Sequence, residues 1–194
     1  MHYRRIVCFL LGLWLGGGIL MAWYGARSFS AVETIMSQSN PAFVAQTKPL
    51  GPAETRLALR YVLAEQNAWM FRTWENMQIL LAVLFFCYLL FGTLEGKFSL
   101  AVMLAMLFLT LAQRIWISPE LGLSGRTLAY IPRDLAAQER ARFWLLHNAY
   151  LAIEALKFGL GLVLGATVMS RKRSVDPMNQ LDMVDKANHR HVNW

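Results

Sequence analysis

Residues 76–94 read NMQILLAVLFFCYLLFGTL, a run without one charged side chain. A water-soluble core absorbs scattered apolar residues, but not an uninterrupted block as long as a bilayer is thick, which takes about 20 residues at ~1.5 Å of rise each. The run therefore reads as a membrane span, and similar blocks lie on either side of it. Residues 6–24, from Ile6 to Tyr24, are also free of charge. Residues 98–117 are interrupted by Arg114 alone, whose aliphatic stem can bury while its head reaches the interface. Residues 143–170 carry Glu154 and Lys157 within an otherwise apolar stretch. The 194 residues are 56% hydrophobic and 16% charged, an apolar excess that four spans account for. The expected fold class is all-α, an integral membrane four-helix bundle with extramembrane extensions of helices two and four. Its transmembrane domain covers residues 1–170, followed by a polar cytoplasmic tail over 171–194.

Arg4 and Arg5 before the first block, with Ser28-Phe29-Ser30 after it, also fit a cleaved signal peptide. The apolar run is longer than a signal core, which favours an anchored helix. Basic residues set the orientation. Arg4 and Arg5, Lys97, and Arg171, Lys172 and Arg173 share one side of a four-span chain, so the positive-inside rule places both termini in the cytoplasm of a cell (inner) membrane protein. The formal charge of +7 is in part this topology signal and requires no nucleic acid. Cys8 and Cys87 fall inside spans and read as packing residues.

The segments outside the spans look ordered. From 53 to 74 there is neither Gly nor Pro, which predicts one helix that enters span two unbroken. On it Leu59, Val62, Trp69 and Met70 form an apolar face expected to pack on the continuation of helix one through 28–37, or on the interface. Asp134 is placed to cap a helix starting at Leu135 and running into span four.

Within the spans, two features offer more than bulk apolarity. Gly12 and Gly16 in helix one, and Gly161 and Gly165 in helix four, share the small-xxx-small spacing that permits close helix approach, and make helix one against helix four the natural internal pair. On helix four, His147, Glu154, Phe158, Gly161 and Gly165 fall along one face at 3.6 residues per turn, with Tyr150 and Lys157 beside it. Charges inside a span face the protein interior or a wet cavity. Glu154 and Lys157, three residues apart, are expected to pair near the midplane, joined by Gln78 or Gln113. The same stripe of His147, Tyr150, Glu154 and Lys157 could form an ion path, and His147 could ligate haem or copper. A lone histidine is more often hydrogen-bonded to a neighbouring helix. His189 and His191 lie in the polar tail. The sequence carries no Gly-rich phosphate loop, nucleophile elbow or zinc signature, so neither catalysis nor a bound cofactor or metal is expected.

Leu111-Ala112-Gln113-Arg114-Ile115-Trp116-Ile117-Ser118-Pro119-Glu120, Phe143-Trp144-Leu145-Leu146-His147-Asn148 and Gly12-Leu13-Trp14-Leu15-Gly16 together resemble the transmembrane-protein-205-like family of four-span membrane proteins of unknown function. The charged segment 48–75 and the Glu154/Lys157 pair depart from that pattern. A fainter likeness, carried by His147, is to copper-resistance and porphyrin-oxidising membrane proteins. The expected role is that of a non-catalytic accessory or structural subunit surrounded by membrane lipids and partner membrane proteins. A small transporter built on Glu154 and His147 is the alternative, and a haem- or copper-handling protein the third.

Overall fold

Buried positions on the long helices recur at alternating intervals of three and four residues, the spacing that keeps one narrow seam facing a neighbour. The computed structural model describes residues 2–38, 40–91, 97–130 and 137–170. Among these the chain is helical, with no strand, and four helices are long and apolar enough to cross a membrane. Helix α1 (His2–Ser37) buries Val7, Leu11, Trp14, Met21, Ser28 and Val32. The short α2 (Pro41–Thr47) is capped by Asn40, whose side chain accepts from the Ala42 amide, with Pro41 at the first helical position. Gly51, at φ +77°, supplies the left-handed residue that turns the chain into the next helix. Helix α3 (Gly51–Phe91) buries Glu75, Gln78, Ala82, Phe85 and Leu89. Helix α4 (Lys97–Ala112) buries Ser99, Val102, Met103, Met106 and Thr110, and passes through a π-helical turn (Gln113–Ile117) into α5 (Ser118–Tyr130). Helix α6 (Ala137–Ser170) buries Tyr150, Lys157, Gly161, Leu164, Gly165 and Val168.

Contacts fix the directions of these rods. Ser28 meets Asn67 and Gly25 meets Phe71, so α1 and α3 run antiparallel. Ser118 meets Glu75 and Arg126 meets Glu65, which sets α5 antiparallel to α3. Leu15 and Leu11 pack on Gly161 and Gly165, which sets α6 antiparallel to α1. Both α1 and α4 pack on α3 and on α6. The seams differ in content along their length. Towards the basic end, with Arg5 and Lys97, they are apolar but for Ser99: Val7, Leu11, Phe85, Leu89, Val102, Met103, Met106, Leu164 and Val168 form one core.

Several expectations change. Helix α3 runs unbroken from Gly51 to Phe91, as the Gly- and Pro-free sequence predicts. Extension beyond the spans is not confined to helices two and four, because α1 reaches Ser37 and the third rod continues through Pro119 to Tyr130. On α3 the apolar face is covered only in part: Leu59 and Met70 are half-buried, Val62 and Trp69 stay exposed, and Asn67 turns inward to donate to Ser28 Oγ at 2.8 Å. A buried amide needs a partner and wins the inward position over a residue that can face an apolar medium. Cys8 and Cys87 face outward rather than into the core. Asp134 and Leu135, residues 92–96 and the tail over 171–194, with His189 and His191, lie outside the described residues.

Candidate functional site

Where the apolar seams end, the seam positions become polar. Lys157 on α6 has no exposed surface, and its ammonium donates to Gln78 Oε1 and to Glu154 Oε1, each at 2.7 Å. Gln78 Nε2 in turn donates to Glu154 Oε2 at 3.3 Å, closing a triangle between α3 and α6. An ammonium stripped of water costs several kcal/mol, on the order of Born estimates softened by relaxation, unless it is paired and hydrogen-bonded. Both conditions are met here.

One turn along α3, Glu75 is also fully buried. Ser118 Oγ donates to its Oε1. Arg114 Nε stands 3.8 Å from Oε2, an ion-pair distance too long for a hydrogen bond, and donates instead to Asn76 Oδ1 at 3.2 Å. The Tyr150 hydroxyl lies close enough to interact electrostatically with Glu75, while its ring meets Phe71 edge-on at 5.7 Å. Gln113 Nε2 donates to the Tyr150 carbonyl at 3.4 Å. Three buried atoms in this region, Glu75 Oε2, Gln113 Oε1 and the Tyr150 hydroxyl, lack a hydrogen-bond partner. The cluster thus gathers two carboxylates and two cations on three rods.

The π turn assembles the second half of it. Pro119 has no amide hydrogen, and in a regular helix its ring would press on the carbonyl of residue 115. Widening the preceding turn relieves that contact, and the Ser118 amide bonds the Gln113 carbonyl five residues back. The wide turn carries Gln113 and Arg114, and Ser118 follows directly, so all three address Glu75 and Tyr150.

Of the residues singled out from sequence, Glu154 and Lys157 pair directly, and Tyr150 joins the same cluster through Glu75. Gln78 completes the pair and Gln113 does not, being committed to Tyr150. His147 stands apart. It stacks on Phe143 at 5.8 Å and meets Trp144 edge-on at 5.5 Å, both on its own helix, and no bond joins it to Glu154. Among the described residues no three His, Cys, Asp or Glu side chains gather as a metal-binding group. Gly161 and Gly165 accept Leu15 and Leu11, at 3.0 and 2.8 Å from an added Cβ, whereas Gly12 and Gly16 have nothing within 4 Å. The internal pairing of helices one and four is therefore leucine into glycine, not glycine against glycine. On helix one the close approach is made at Gly17, against the Trp74 ring. Glu154 lies at the middle of α6, and from Lys157 to Ser170 is ~20 Å of helix.

Sequence reading missed Glu75, Arg114 and Ser118. The signal lay in the register, since Glu75 and Gln78 continue the 82, 85, 89 seam upward and Gln113 continues 103, 106, 110. No family model, no curated protein and no solved structure matches the chain.

Proposed function

We propose that this chain is an integral membrane four-helix bundle with both termini cytoplasmic, acting as a non-catalytic accessory or structural subunit of a membrane assembly. The observation that carries the reading is its inverted polarity. Lys157, Glu75, Gln78 and Gln113 are at most 1% exposed, while Phe9, Leu20, Leu84, Phe108 and Leu162 are each at least half uncovered. In water that arrangement is unfavourable on both counts; in lipid it is the favourable one. The buried polar groups bond α6 to α3 and α3 to the π turn, so their work is to hold rods in register where lipid supplies no hydrophobic drive between helices.

Partner binding is supported by the outward face of α1, where Gly12 and Gly16 remain open between the exposed Phe9, Leu13, Ile19 and Leu20. Purification from native membranes in mild detergent tests this. A stoichiometric co-purifying protein that is lost in Gly12→Leu/Gly16→Leu, with the bundle still folded, supports the subunit reading. A chain that purifies alone under every mild condition sinks it.

A transport role is favoured by Glu75 Oε2, Gln113 Oε1 and the Tyr150 hydroxyl, buried atoms without a hydrogen bond, which suit a hydrated site. Against it stands the core between Lys157 and the basic end, ~20 Å along α6, where among the described residues the buried side chains are apolar but for Ser99. Proteoliposomes showing no pH-driven flux fit the structural role. A flux abolished by Glu75→Gln would replace it with the transport one.

A further inference from the structure

Three oxygens of the polar seam are sealed from the surface and receive no hydrogen bond from a described residue: Glu75 Oε2 on α3, Gln113 Oε1 on the π turn and the Tyr150 hydroxyl on α6. Glu75 and Gln113 are 0% exposed and Tyr150 5%, so none of them meets solvent. Nor is any of them free to turn away. Glu75 is held through its other oxygen by Ser118. Gln113 Nε2 donates to the Tyr150 carbonyl, a group that only accepts, so Oε1 has to face elsewhere. The Tyr150 ring is set edge-on against Phe71. Tyr150 joins the three into one patch, because its carbonyl takes the Gln113 bond and its hydroxyl lies close enough to Glu75 to interact electrostatically. Arg114 Nε stops 3.8 Å from Glu75 Oε2 and gives its hydrogen to Asn76.

We infer that this patch is a binding site for structural water, which ties α3, the π turn and α6 together; the inference rests on the membrane reading above. The chemistry of the atoms narrows the ligand. A carboxylate oxygen and an amide oxygen can only accept, so whatever meets both has to offer more than one donor or a positive charge. Water satisfies that condition, and so does a small cation. Charge separates the two. Lys157 is matched by Glu154 at 2.7 Å and Arg114 by Glu75 at 3.8 Å, so the cluster is neutral as it stands. A further cation would be an unmatched charge in an interior that solvent does not reach. Water brings donors without charge. It needs roughly two to four polar partners to stay inside a protein, and the patch offers it three oxygens. A carboxylate and a guanidinium held just beyond hydrogen-bond distance are also a setting in which water bridges. Towards the basic end the described buried side chains are apolar but for Ser99, so the site belongs to the polar half of the seam.

Solid-state NMR of the unsubstituted protein in phosphatidylcholine bilayers tests this carbon by carbon, through magnetisation passed from water protons. The carboxyl carbon of Glu75, the carboxamide carbon of Gln113 and Cζ of Tyr150 should receive it faster than the methyl of Met103, which is 0% exposed in the apolar half. Replacing sodium by choline in the buffer should leave all three signals where they are. Transfer no faster than to Met103 overturns the water site, and a carboxylic-acid shift at a dry Glu75 would show that its own proton serves as the donor. Shifts that saturate with added sodium overturn it in favour of a cation site. Tyr150→Phe keeps the ring and removes one partner, so it should slow transfer to Glu75; undiminished transfer would show water reaching Glu75 without the patch and would overturn the assignment. Carbonate washing separates this from the membrane reading: a chain released from the membrane fails both, whereas a chain retained with dry carbons fails only the water site.

Discussion

The two halves of the bundle seam obey the same three-four spacing and are held by different physics. Towards the basic end, Phe85, Leu89, Met103, Met106, Leu164 and Val168 fill space with side chains that have no directional demand. Above them, Lys157, Glu154, Gln78, Glu75, Ser118 and Gln113 occupy equivalent positions, with bonds that specify partner, direction and register. The apolar half resists a change in volume. The polar half resists a change in chemistry, because a group left alone there has no bulk water to turn to. The comparison teaches that register is fixed where polarity is buried and that closure is provided where it is not.

The sharpest way to break that comparison is at Lys157. Glu154→Leu leaves an ammonium with no exposed surface and only Gln78 beside it, and breaking a buried pair typically costs ~3–5 kcal/mol. The reverse change, Lys157→Met, is expected to cost less, because Glu154 retains 23% of its side-chain surface and still accepts from Gln78 Nε2. The double variant Glu154→Leu/Lys157→Met should regain much of the stability. Denaturant unfolding in detergent measures all three. Equal losses in the two singles would show that exposure of Glu154 is irrelevant, and three parent-like variants would show that the pair is not buried in solution.

Close packing gives the next largest effect. Gly165→Leu must displace Leu11, whose Cδ2 lies 2.8 Å from an added Cβ, and overpacking of this kind costs about 1–3 kcal/mol. Gly12→Leu meets nothing and should leave folding unchanged. Thermal melts of the two variants compare them directly; a destabilised Gly12→Leu monomer would contradict the leucine-into-glycine arrangement. Within the apolar half, Phe85→Leu retains apolarity and most of the volume and should cost ~1 kcal/mol. A loss as large as that at Lys157 would erase the distinction between the halves.

The four long apolar helices are legible in the sequence because a charge-free run as long as a bilayer is thick does not fit a water-soluble core, and runs such as 76–94 need no tertiary information to be read. The Glu154/Lys157 pair is legible for the same reason, as an exception inside a run. Glu75, Arg114 and Ser118 are not, since each lies at the edge of a run, where polarity is ordinary. Proline removes an amide hydrogen, so the sequence places the end of the third rod near Ser118-Pro119; the π turn that lets the helix continue is a cooperative response of the backbone and leaves no separate mark in sequence. Likewise apolarity alone points Val62 and Trp69 inward, although the inward place goes to Asn67, which has a partner in Ser28.

The smallest expected effect is the most useful for placing the membrane edge. Arg142 and Glu120 approach to 2.6 Å but keep 64% and 45% of their side-chain surface. If they stand in water, solvent screens the pair, and exposed pairs are worth only ~0.2–1 kcal/mol. Arg142→Ala should therefore shift unfolding by no more than about that amount, and raising salt towards 1 M, where the Debye length is ~3 Å, should shrink the shift further. The same substitution has a different value if the pair lies within hydrocarbon. An unpaired Glu120 would then be a charge in lipid, the penalty would approach the ~2.5–3.5 kcal/mol of insertion scales, and salt would barely change it. A small, salt-sensitive loss thus fixes the outer end of α5 and α6 as aqueous, and leaves the Lys157 and Glu75 clusters as the place where buried charge governs the fold. A large, salt-insensitive loss would extend the polar half of the seam to Glu120, two residues beyond Ser118.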